Sequence, residues 1–130
     1  ASWRADVEEK PWWRDRIRAG LASYWVYQHL GNLSPAELAE NVDYLRLLAT
    51  DGDCWPHLVE LADRADREVD GHKGVRFSYR WDFGRSRLIM IDSRNGRILD
   101  SGERMMVGEN EFSWVESQVA DGLDELDHLM

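Results

Sequence analysis

The chemistry open to this chain rests on four histidines, one cysteine and a scatter of carboxylates and arginines. His29, His72 and His128 stand apart, while His57 lies three residues after Cys54, and no other His or Cys pair falls within four residues. No second Cys or His stands near that pair to complete a metal site, and neither Cys-x-x-Cys nor His-Glu-x-x-His occurs. Each His reads as a helix-end or loop residue. No Gly-x-Ser-x-Gly elbow and no glycine-rich phosphate loop occurs. Cys54 sits beside Trp55 at a predicted helix start. A helix N-terminus can lower a thiol pKa, but a packing or capping role is preferred. Asp121, Asp124, Glu125, Asp127 and His128 form an acidic cluster without EF-hand spacing. It reads as a solvated loop rather than a divalent-cation site. Trp12-Trp13 suits a ligand platform, or the core and interface packing that Trp more often serves.

One constellation stands out. Asp92-Ser93-Arg94 follows the most apolar stretch of the chain, Leu88–Ile91. Where helices flank a sheet, ligands gather at the C-terminal ends of strands. Asp92 there suits a cation or a hydrogen-bonding partner. Arg94 and Arg97 suit a phosphate, to which they would present forked donors. The equal rival is an Asp–Arg pair that fixes a turn at Asn95-Gly96.

The elements that must position these residues are legible in the pattern. At 130 residues the chain has room for one domain with a real core. Its 25 acidic residues against 16 basic ones give a net charge of −9. That argues against non-specific binding to nucleic acid or to an anionic membrane. No apolar run approaches the ~20 residues of a spanning helix. A single cysteine excludes an intramolecular disulfide.

Residues 1–70 read as helical and 71–130 as mixed, with Asp70-Gly71-His72-Lys73-Gly74 as the joint. A first helix starts at Pro11 and ends at Gly31-Asn32. Ser34-Pro35-Ala36-Glu37 reads as a capping box, followed by a helical Val42–Ala49. Trp55–Glu68 places Leu58, Leu61, Ala62 and Ala65 on one face. The period then changes to two. Val75, Phe77, Tyr79, Trp81 and Phe83 alternate with polar residues, which predicts a strand whose aromatic face is covered by a helix. Gly84-Arg85 reads as a two-residue hairpin turn. The next strand, Arg87–Asp92, is predicted to be buried on both faces. A helix over Glu109–Val119 presents Phe112, Val115 and Val119, and Asp127–Met130 reads as the start of a third strand. The fold class is α+β: a helical N-terminal half, then a β-hairpin and a C-terminal helix.

Position 1 is Ala, and the last residues open an apolar run. The chain is therefore expected to be a piece of a larger protein. Phe83-Gly84-Arg85-Ser86-Arg87-Leu88-Ile89-Met90-Ile91-Asp92-Ser93-Arg94 resembles the strand-turn-strand of alkaline phosphatase D-like metallophosphatases, in the calcineurin-like phosphoesterase superfamily. Trp25-Val26-Tyr27-Gln28-His29-Leu30-Gly31-Asn32-Leu33-Ser34-Pro35 and Glu111-Phe112-Ser113-Trp114-Val115 resemble actinobacterial members. The resemblance covers nearly the whole chain. It implies an α/β/β/α sandwich and two divalent or trivalent metal ions that activate water against a phosphoester. None of the family's metal-ligand segments is present, so no metal ligand or catalytic residue is carried over. Asp92 and Arg94 match a family motif and are expected to face the active site.

The function expected is that of an internal segment of a phosphoesterase acting on phosphomono- or diesters, inactive by itself. The expected partner is the rest of the parent domain. A homodimer through an exposed sheet edge at residues 75–92 is a further expectation. Two rivals stand beside this reading. One is an acidic, Trp-rich helical interaction module. The other is a complete small enzyme that uses Asp92, Arg94 and acidic neighbours on a metal.

Overall fold

A computed structural model describes residues 9–67, 75–95, 97–100 and 102–130. The fold is α+β, as expected. The chain divides into two compact units, Ala1–Asp66 and Arg67–Met130. Their boundary falls just before the predicted joint, of which residues 70–74 lie outside the described residues. No helix among the described residues is long and apolar enough to cross a membrane.

The first unit is helical. Helix α1 spans Pro11–Tyr24, with Pro at its first position where no N–H is missed. It runs on as a π-helical turn, Trp25–His29, and a 3-10 turn, Leu30–Asn32. Asn32 stops it by donating its side-chain amide to the carbonyls of Tyr27 and Gln28. Helix α2, Pro35–Glu40, opens on the predicted capping box: Ser34 Oγ accepts from Glu37 N, and Glu37 returns a carboxylate to Ser34 N at 2.7 Å. Asn41 caps helix α3, Val42–Leu48, by accepting from Tyr44 N at 2.9 Å. Helix α4 spans Trp55–Arg67 and buries Leu61, Ala62 and Ala65 on the predicted face. Arg18 of α1 holds Asp63 of α4 with two hydrogen bonds of 2.7 Å. Arg64 reaches Asp43, and Arg46 reaches Glu60 at 3.0 Å. Trp25, fully buried, is the largest residue of the core, with Ala22 and Leu30 also buried.

The second unit is built on a hairpin. Strand β1, Tyr79–Phe83, pairs antiparallel with β2, Ser86–Met90. The turn is Gly84-Arg85, as predicted, and Gly84 takes φ 61°, which glycine adopts without Cβ strain. Val75, Phe77 and Ser78 are buried but precede the strand rather than belong to it. Strands β3, Ile98–Asp100, and β4, Glu103–Met105, form a separate small ribbon. Helix α5 spans Glu109–Ala120. The chain then returns to the hairpin as β5, His128–Leu129, which joins β2 in parallel and completes the order β1-β2-β5. The third strand thus forms where it was expected.

Two packing expectations are overturned. The aromatic face is covered only at its start: Phe77 is buried and Tyr79 half-buried, but Trp81 is 40% and Phe83 56% exposed. Helix α5 lies on the opposite, polar face, because the Arg87 guanidinium donates to the carbonyls of Gln118 and Asp121 at its C-terminal end. Those last carbonyls have no partner inside the helix, and a cation suits that end of its dipole. Nor is β2 buried on both faces. Leu88 and Ile89 are half-buried, Met90 and Ile91 are exposed, and Arg87 is the buried residue of the strand. Burial on both faces needs cover on both, and α5 covers one. Within α5, Phe112 is exposed and Glu111 is buried. Glu111 sits in the first turn, where the dipole favours a carboxylate, and it accepts from Arg76 Nε at 2.8 Å. Arg76 in turn stacks over Trp114 at 4.9 Å. Arginines from the hairpin segment therefore hold both ends of α5.

Candidate functional site

Asp92 and Arg94 lie in the loop that leaves the C-terminal end of β2, the position the sequence predicts. Asp92 is half-buried and Arg94 exposed. The backbone N–H of Asp92 donates to Ser78 Oγ at 2.8 Å, which ties the loop to the buried segment before β1. Asp92 Oδ1 accepts from the backbone N–H of Arg94 at 2.9 Å and of Asn95 at 3.1 Å. This is an Asx turn, in which the side chain stands in for a backbone carbonyl. The rival reading expected Asp92 to fix the turn through an Asp–Arg pair. Asp92 does fix the turn, with two of its bonds running to the main chain of Arg94 and Asn95. Gly96 lies outside the described residues. Arg97, the second expected fork, spends its Nε on Ser93 O at 2.8 Å and braces the same loop. The arrangement leaves the Arg94 side chain outward on a loop with fixed geometry.

The densest polar cluster sits at the other end of β2, roughly 17 Å away by strand rise. Asp82 and Arg87 are direct cross-strand partners. Arg87 donates to the Asp82 carboxylate through Nε at 2.8 Å and through a terminal nitrogen at 3.1 Å. Arg80 donates to Asp82 as well, and to Asp121 at 2.6 Å. Arg85 holds Asp127 with two bonds of 2.6 Å. Hydrogen bonds from Arg80, then Arg87, hold the Asp82 carboxyl well below the usual carboxylate range. A bond from Arg80 lowers Asp121, and one from Arg85 lowers Asp127. Two members of the predicted acidic cluster, Asp121 and Asp127, are thus partners of hairpin arginines.

Arg80, Asp82, Arg85, Arg87, Asp121 and Glu125 line an open hollow of about 440 Å³. Its three guanidiniums each face a carboxylate, so its charges balance and its work is to clamp the hairpin to the end of α5. Sequence reasoning assigned no role to Arg87. The two-residue turn carries the signal, since it sets Asp82 opposite Arg87 once it is recognised.

Cys54 is half-buried, with Sγ 3.8 Å from Leu47 O, while Asp53 Oδ1 accepts from Trp55 N at 2.9 Å and caps α4. Among the described residues no three of His, Cys, Asp and Glu come together as a metal-ligand set. Comparison with family models, curated proteins and solved structures finds no match for this chain.

Proposed function

We propose that this chain is an internal segment of a metal-dependent phosphoesterase of the alkaline phosphatase D type. In that parent it supplies the helical insertion, the central hairpin and the strand after α5. Support comes from the surroundings of β2. The Phe83–Arg94 segment that carries the resemblance folds as a tight turn, a strand and a fixed loop, in that order. Strand β2 then takes β5 as a parallel partner after α5. A parallel pair with an intervening helix is the unit from which helix-covered sheets are built.

In this reading Asp92 holds the loop and Arg94 reaches toward a phosphoester oxygen, as an arginine fork does. The two metal ions and the activated water belong to residues beyond this chain. No catalytic step falls to its own side chains.

The test is the coding DNA on either side. The same reading frame should continue upstream into an Asp-Asp-His-Asp segment and downstream into a Gly-His-x-His segment. The protein expressed from that frame should hydrolyse bis-p-nitrophenyl phosphate with added metal, and Arg94→Ala should lower kcat/KM. A frame that closes at either end without those segments would overturn the proposal.

A second reading is an interaction module. Its support is an exposed aromatic pair in the first unit: Trp12 and Trp13 stack at 4.9 Å, and Arg16 sits over Trp12 at 5.0 Å. Closed frames at both ends, with a partner lost on Trp12→Ala, would favour it.

A further inference from the structure

We propose that the outer edge of β1 is a pairing surface for the same edge of a second copy, antiparallel and centred on Trp81. The inference concerns the 130-residue chain and does not rest on the phosphoesterase reading.

The hydrogen-bond pattern fixes which backbone groups this edge offers. Ile89 N donates to Met130 O, and Arg87 O accepts from Met130 N. Arg87 and Ile89 therefore turn their main-chain groups toward β5. Alternate residues of a strand turn theirs to opposite sides. Ser86, Leu88 and Met90 thus face β1, where their partners are Phe83, Trp81 and Tyr79. That leaves the N–H and C=O of Arg80 and Asp82 pointing outward. Among the described residues no strand pairs with that side, since β1 ends the order β1-β2-β5. The other edge of β2 carries β5.

An edge of this kind invites another strand, and charge decides which register is accepted. A two-fold axis at Arg80 or at Asp82 sets like charges opposite each other. An axis at Trp81 sets Arg80 opposite Asp82 of the second copy, and Asp82 opposite its Arg80. Both are hydrogen-bonded pairs, so the outward groups of the two strands meet each other. On the other face Tyr79 then meets Phe83 of the second copy, and the two Trp81 rings meet at the axis. Tyr79, Trp81 and Phe83 already form one run, with ring centroids 5.4 and 6.0 Å apart. Pairing doubles it to six rings and covers surface that is 40% exposed at Trp81 and 56% at Phe83. A two-fold dimer is also the commonest closed assembly.

Light scattering at micromolar concentration should give twice the chain mass, falling to the chain mass in Arg80→Glu, which sets like charges opposite. Register is read by cysteine crosslinking in a Cys54→Ser background. Tyr79→Cys alone should not crosslink under mild oxidation. Mixed with Phe83→Cys it should, because residues in a non-hydrogen-bonded pair stand about 4.5 Å apart at Cα, within disulfide range. Trp81→Cys should crosslink with itself. A chain that scatters as a monomer throughout, or a dimer whose crosslinks ignore this register, would overturn the proposal.

Discussion

Asp82 and Arg87 face each other across the hairpin, and the buried guanidinium of Arg87 joins that carboxylate to two carbonyls at the end of α5. One side chain thus couples strand pairing to helix placement. It explains why the polar face of the hairpin is the covered one. A buried cation needs partners on every side, and the carboxylate with the helix terminus supplies them.

Replacing Arg87 should uncouple the two elements. Arg87→Ala leaves Asp82 and the two carbonyls without their shared donor. A fully buried pair broken in this way costs about 3–5 kcal/mol. Asp82 is 38% exposed, and water compensates it in part. The expected loss is therefore about 2–3 kcal/mol, read from the urea midpoint at constant m. Arg87→Lys should recover less than half of it, because an ammonium cannot span the carboxylate and the helix end together.

The same carboxylate sets an acid dependence. Bonds from Arg80 and Arg87 lower the folded-state pKa of Asp82 below its unfolded value. The folded form thus binds its proton less readily than the unfolded form. The stability this adds is complete above the unfolded value of about 3.9 and is lost as pH falls through the folded value. Asp121 and Asp127 shift in the same direction. The Asp82→Asn variant isolates the contribution. It should be less stable than the parent chain at pH 7, and the difference should shrink as the pH is lowered from 5 toward 2. A difference that does not change with pH would mean that the carboxylate charge adds nothing.

Ser34 and Glu37 bond reciprocally at the start of α2. Ser34→Ala should lower stability by about 0.5–2 kcal/mol. Side-chain and backbone bonds to Ser34 also hold the Glu37 carboxyl below its ordinary value. Its titration, followed by carboxyl NMR, should move back up in Ser34→Ala.

The local elements were legible where one residue type has one backbone use. Pro11, the Ser34-to-Glu37 box, Gly84 in the turn and the return at His128 each form what their chemistry dictates. Facing was not legible. An alternation of aromatic and polar residues names two faces but does not say which one a helix takes. That was decided by Arg87, whose fit to the end of α5 depends on a cross-strand partner and a helix 31 residues further on. At Asp92 the residue and its loop were read, but two of the bonds that fix the turn run to main-chain N–H groups, which a sequence does not distinguish.

The exposure of Trp81 and Phe83 at the turn end of the aromatic face bears on the last prediction. Period two alone suggests that Trp81 fills a core, where Trp→Ala costs about 3–5 kcal/mol. In the structure Trp81 packs between Tyr79 and Phe83 on the outside of the hairpin, with 40% of its surface exposed. It gives up less contact when truncated and leaves no closed cavity, because water reaches the site. Trp81→Ala should therefore cost about 1–2 kcal/mol in the monomer. The measurement is a urea titration of Trp81→Ala against the parent chain, followed by circular dichroism at submicromolar concentration. If the edge pairs as proposed, the cost should rise with protein concentration, since a residue at the two-fold axis is removed from both copies at once. A loss of 3 kcal/mol or more that does not depend on concentration would mean that Trp81 is covered within its own chain.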